Sequence, residues 1–187
     1  MDLVDQLTTV DIKGTNNIIN FVEFYTQKPQ SIIPSLLGID NWNTKKYSDV
    51  IIKTILKDNV IINYCAIPCE PFLSENHKFY EIIYNSAATV VLVPGLGSLM
   101  HNAFWYYVVG NEKINPLIPL FILAENPRNL TLEDSKKDIL DSLDLSTVWL
   151  REFEIYSLLG DKKLSWDRFV TRLMKKVIDY LVINITR

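Results

Sequence analysis

Seven residues from Ala87 to Val93, Ala-Ala-Thr-Val-Val-Leu-Val, run without a charged side chain and stop at Pro94-Gly95-Leu96-Gly97-Ser98. A short, β-branched run closed by Pro and Gly specifies a strand covered on both faces, as in the middle of a parallel sheet. Parallel strands need crossover connections, usually helices, so this one run commits the chain to an α/β plan. It also directs the search for function. Open α/β sheets bind their ligands beyond the carboxyl ends of the strands, which here means Pro94 to His101.

The rest of the chain fits one such domain. At 187 residues, 48% apolar and 22% charged, it has the composition of a globular protein rather than a disordered one. A net charge of -3 supplies no broad positive field, so nucleic acid is not an expected partner, although Arg168, Arg172, Lys175 and Lys176 form a local basic group. Cys65 and Cys69 stand four apart with no second pair beside them, and His77 and His101 lie on separate segments. Reduced thiols are therefore expected, with no metal and no cofactor. The acidic start Met-Asp-Leu-Val-Asp-Gln lacks the basic and then apolar order of a signal peptide, and no apolar stretch reaches membrane-spanning length. The expected location is cytoplasmic.

The chain divides into residues 1–30, expected as a helical extension, and an α/β domain over 31–187. Thr15-Asn16-Asn17 offers a cap for a helix through Ile18, Ile19, Phe21, Val22 and Tyr25, ended by Pro29. A first strand is expected over Ser31 to Ile39, interrupted by Pro34 and closed by Gly38. Helical spacing of Tyr47, Val50, Ile51, Ile55 and Leu56 predicts a helix up to Lys57-Asp58-Asn59. Val60 to Cys65 reads as a strand, Ala66 to Glu75 as a proline-bearing loop, and Asn76 to Ser86 as a helix leading into the central strand. Beyond it come a helix over Leu99 to Val109, a strand over Leu117 to Leu123, a strand over Phe153 to Leu158, and a last helix over Ser165 to Ile183. That helix turns Phe169, Leu173, Val177 and Leu181 inward. The alternation predicts a flavodoxin-like three-layer sandwich around a five-stranded parallel sheet.

Taken in order, the segments Val60 to Cys65, Pro68 to Glu75, Phe79 to Ser86, Thr89-Val90-Val91-Leu92-Val93-Pro94, Phe104-Trp105, Leu117-Ile118-Pro119-Leu120 and Trp166-Asp167-Arg168-Phe169 resemble a TIR domain, the Toll and interleukin-1 receptor signalling module, over residues 44 to 183. The opening strand departs from that family, because Ile32 to Ile39 lacks its aromatic and acidic residues. The Glu of NAD-cleaving members is missing as well: its place falls near Val109 and Gly110, with Glu112 beyond the helix end. The resemblance therefore implies a non-enzymatic adaptor or decoy in innate immune signalling, with no catalytic residue, acting on other TIR-domain proteins as a homo- or hetero-oligomer. It would bind through the loop Pro68, Cys69, Glu70, Pro71 and Phe72 and through His101, Trp105 and Tyr106 on the neighbouring helix.

An alternative class is a nucleotide-binding or NAD-processing enzyme that uses Pro94, Gly95, Gly97 and Ser98, since two glycines after a strand let the backbone approach a phosphate. Here the chain resembles the lysine-decarboxylase-like, cytokinin-activating family, whose loop of the form PGG.GT..E is matched with Leu96 at its second Gly and His101 near its catalytic Glu. Trp166 in the last helix is expected as a packing anchor against the sheet.

Overall fold

The computed structural model describes residues 18–25, 29, 31–47, 49–68, 84, 86–93, 115–124, 154–157 and 162–185. They form strands β1 (Ile18–Tyr25), β2 (Asn43–Tyr47), β3 (Val50–Lys57), β4 (Val60–Pro68), β5 (Ser86–Val93), β6 (Leu120–Ala124) and β7 (Glu154–Ser157), with helices α1 (Ile32–Leu37) and α2 (Lys162–Ile185). The strands make one seven-stranded sheet in the order β2-β3-β4-β1-β5-β6-β7. β4, β1, β5, β6 and β7 run parallel; at one edge β3 pairs antiparallel with β4, and β2 antiparallel with β3, so that β3 alone runs against the rest. The α/β class stands as expected. The expected sheet of five strands omitted the β2–β3 hairpin.

Three local expectations are corrected. Ile18–Tyr25 is a strand at the centre of the sheet, not a helix in an N-terminal extension: it pairs in parallel with β4 on one side and β5 on the other. Ile32–Leu37 is a helix, not a strand. Pro34 sits in its first turn, where the backbone N–H groups have no intrahelical partner to lose, and Gly38 closes it at φ 61°, a left-handed conformation that glycine adopts without a Cβ clash. Asn43 to Leu56 is a hairpin rather than a helix. β3 continues into β4 through Asp58 and Asn59 at φ 51° and 66°, the pair of positive values that a type I′ turn requires and that Asp and Asn tolerate best after Gly.

Register sorts the residues onto two faces. Phe21 lies beside Tyr64 and Ala88, and Val90 beside Phe121. With Ile19, Ile62 and Leu123 they form the face packed by Ile32, Ile33 and Leu37 of α1 and by Phe169, Leu173, Met174 and Val177 of α2. Phe169 is the hub at the α2 end, edge-on to Phe121 at 5.9 Å and to Tyr156 at 5.3 Å, with Trp166 at 5.6 Å. Trp166 thus packs against the core as expected. The opposite face carries Val22, Phe24, Cys65, Ile67, Val91 and Ile122, all buried.

At the amino-terminal end of that second face, polar side chains are in line. Thr54 Oγ1 donates to Asn63 Oδ1 at 2.8 Å, and Asn63 Nδ2 donates to Asn20 Oδ1 at 2.9 Å, so one ladder crosses β3, β4 and β1.

Candidate functional site

The carboxyl ends of β1 and β5 meet at the point where the strand order turns back on itself, since the chain passes from β1 to β4 on one side and on to β5 on the other. That crevice is where an α/β sheet of this kind receives a ligand. From β1 the chain enters α1 through residues 26–31, Thr-Gln-Lys-Pro-Gln-Ser. A strand, a loop and a helix in this order form the scaffold of phosphate-binding loops, whose glycine-rich signature is G-x-x-x-x-G-K-[ST].

Of that signature only the serine position, Ser31, is kept. Aligned on Ser31, the signature's two glycines and lysine fall on Phe24, Pro29 and Gln30. Pro29 has no N–H to offer an anion. The neighbouring strand β4 carries no acidic residue that could hold a magnesium ion.

Instead, the protein's own carboxylate occupies the start of α1. Glu23, fully buried on β1, accepts the N–H of Ser31 at Oε1 (3.2 Å) and the N–H of Ile32 at Oε2 (3.0 Å). Free N–H groups at a helix start favour an anion, and the Glu23 carboxylate is that anion. Ser31 is held at φ 52°, a left-handed conformation uncommon for a residue with a side chain, while its carbonyl accepts the first helical bond from Ser35 N–H at 3.0 Å. Burial, reinforced by the Glu23 charge, pushes the Tyr64 hydroxyl far above the usual phenol range. Glu23 and Ser31 are near enough to act on that hydroxyl, yet among the described residues no group meets it in hydrogen-bonding geometry. Nearby, Tyr25 donates its hydroxyl to the carbonyl of Asp49 at 2.6 Å, which ties the end of β1 to the β2–β3 turn.

Of the residues expected to bind a partner, Pro68 is corrected. It is the last residue of β4, buried and paired with Tyr25, because the strand continues through Ala66 and Ile67 instead of breaking into a loop. Cys69, Glu70, Pro71, Phe72, His101, Trp105 and Tyr106 lie outside the described residues, as do Pro94, Gly95, Gly97 and Ser98. Cys65 is a buried free thiol. Among the described residues no group of His, Cys, Asp and Glu is arranged to hold a metal ion, and no helix is long and apolar enough to cross a membrane.

Sequence reading missed Glu23, Ser31 and Tyr64. The available signal was a lone acid in the run Ile-Ile-Asn-Phe-Val-Glu-Phe-Tyr. In a strand whose neighbouring residues are buried, such an acid must find donors.

No family model and no curated protein matches the chain. Among solved structures it is similar to an ADP-ribosylation factor-like GTP-binding protein, the small COPII coat GTPase SAR1 from Encephalitozoon cuniculi in complex with GDP. The TM-score is 0.59 at 9% identity, over 98% of this chain and 87% of that one. At that identity the likeness establishes a fold, that of a small GTPase. It overturns the expectation of an adaptor of innate immunity that works by TIR-to-TIR contacts.

Proposed function

We propose that this chain is a protein of small-GTPase fold that works without a nucleoside triphosphate at the β1–α1 junction, holding that junction in a single state through Glu23. The observation that carries the reading is the pair of bonds from Ser31 N–H and Ile32 N–H to a fully buried carboxylate. A phosphate brought to those donors meets a negative charge already seated on them, and between β1 and α1 the sequence has no glycine and no lysine at the signature position, where Gln30 stands. Hydrolysis at this junction is therefore not its activity.

A second reading keeps a nucleotide on the same fold but moves its phosphates to Pro94, Gly95, Gly97 and Ser98, which follow β5 in the sequence. What favours it is the place of β5 beside β1 at the reversal of strand order, together with the likeness to a structure in complex with GDP.

Thermal unfolding with GDP, GTP, ATP and NAD, each with magnesium, separates the two. A nucleotide at 100 times its dissociation constant adds about 2.7 kcal/mol of stability. The first reading predicts no shift with any of them. A shift lost in Gly95→Val and Gly97→Val, but kept in Gln30→Ala, supports the second.

A further inference from the structure

Among the described residues β2 ends the strand order, and no described strand pairs with its outer side. All five of its residues, Asn43, Thr44, Lys45, Lys46 and Tyr47, are exposed. A bare strand edge presents unpaired N–H and C=O groups to any extended chain, and lysines on it suppress indiscriminate pairing. Two features of this edge go further and select an occupant.

The first is its charge. In a protein of net charge -3, the strands of the β2–β3 hairpin carry Lys45, Lys46, Lys53 and Lys57 and no acid. Lys45 and Lys46 have no ion-pair partner among the described residues. Full antiparallel overlap of two β2 strands sets Lys45 directly against Lys45 of a second copy, a destabilising like-charge pair, so the edge is arranged against self-pairing. The second is spacing. Lys45 and Lys46 are consecutive and therefore project to opposite faces of the sheet, in register with Ile52 and Ile51. An added strand can neutralise both by direct cross-strand pairing only with two consecutive acids.

We propose that the outer edge of β2 docks an extended segment of a partner protein by main-chain pairing, with an acidic dipeptide of that segment opposite Lys45 and Lys46. This surface lies on the hairpin, away from the strand order reversal, and does not depend on whether the chain binds a nucleotide.

The test uses the whole chain and short synthetic peptides capped at both ends. One has the sequence Val-Thr-Glu-Glu-Thr-Val, an isomer Val-Glu-Thr-Glu-Thr-Val separates the acids onto one face, and a third replaces both acids by Lys. Affinity is read by fluorescence anisotropy and location by backbone amide shifts. The Glu-Glu peptide is expected to bind, to shift the amides of residues 43–47, and to lose binding when its main chain is N-methylated. The isomer gives up one direct charge pair and binds about threefold more weakly. Lys45→Glu with Lys46→Glu reverses the preference toward the Lys-Lys peptide. Should that variant fail to fold, the two acidic isomers on the unaltered chain still decide. The proposal is overturned if the Glu-Glu peptide does not bind at millimolar concentration, if both isomers bind equally, if N-methylation has no effect, or if the shifts fall outside β2. Concentration-dependent dimerisation abolished by the double substitution makes a second copy the occupant and overturns it as well.

Discussion

The Glu23 carboxylate on the central strand lies 3.0 Å from the backbone N–H of Ile32, nine residues later, and so closes the start of α1 from inside the protein. The same side chain takes the Ser31 N–H with its other oxygen, fixing a residue in left-handed backbone conformation. Replacing Glu23 by Ala strands two N–H groups beside a strained residue. Bonds to a charged group contribute about 1.5–3 kcal/mol, and unsatisfied buried donors add their desolvation cost, so Glu23→Ala is expected to cost at least about 3 kcal/mol in urea unfolding. Glu23→Gln keeps the shape and one acceptor and should cost clearly less. Equal losses in the two variants contradict a role as acceptor.

The Thr54–Asn63–Asn20 ladder fixes the register of three strands where apolar alternation alone would tolerate a slip. Asn63→Leu removes the middle member and leaves Thr54 and Asn20 unmatched. A loss of about 1–3 kcal/mol is expected. A double-mutant cycle of Thr54→Val with Asn63→Leu checks the coupling, which vanishes if the two side chains act independently.

At the α2 end the contrast is between core and surface. Phe169 is fully buried among Phe121, Tyr156 and Trp166, so Phe169→Ala should cost about 3–5 kcal/mol. Arg172 donates through Nε to both oxygens of Glu154 from an exposed position, and Arg172→Ala should cost no more than about 1 kcal/mol. Denaturant midpoints of the two variants give the comparison directly.

Burial pushes the Cys65 thiol up to about 12 from its ordinary 9.0. The folded state thus keeps a proton that the unfolded chain releases from about pH 9 upward. The associated stability is fully present below that pH and is lost as pH rises toward 12. Tyr64 and Tyr156 are raised as well, Tyr64 by burial and Glu23, Tyr156 by burial and its bond to Glu154, and they act in the same direction above their ordinary 10.0. Resistance to urea should begin to fall above about pH 9 and fall more steeply above about pH 10, with a shallower slope in Cys65→Ala. A native-state thiol that reacts rapidly at neutral pH contradicts the burial.

The parts of the fold carried by one unambiguous pattern were legible in the sequence. β5 and β6 are short apolar runs between turn residues, and α2 repeats Phe169, Leu173 and Val177 at helical spacing. β1 was not legible, because Asn20 and Glu23 stand three apart and sketch the polar face of a helix. In the structure they face opposite sides of the sheet, and each is satisfied far along the chain, Asn20 by Asn63 and Glu23 by the start of α1. No local rule anticipates partners on other elements. Pro34 and Gly38 misled for a related reason: both also punctuate strands, and only the preceding Glu23 contact makes Ile32 the first residue of a helix. The site shared that fate, since its defining carboxylate is separated from its donors by a loop that carries no recognisable signature.

The most direct test of the closed junction is to follow the backbone amide resonances of Ser31 and Ile32 while GDP or GTP with magnesium is added to millimolar concentration. With Glu23 seated on both N–H groups, these resonances are predicted to stay in place, and in Glu23→Ala to move without any nucleotide present. Large, saturable shifts of Ser31 and Ile32 on addition of nucleotide to the unaltered chain would contradict the account, because they require a phosphate to displace the carboxylate that defines it.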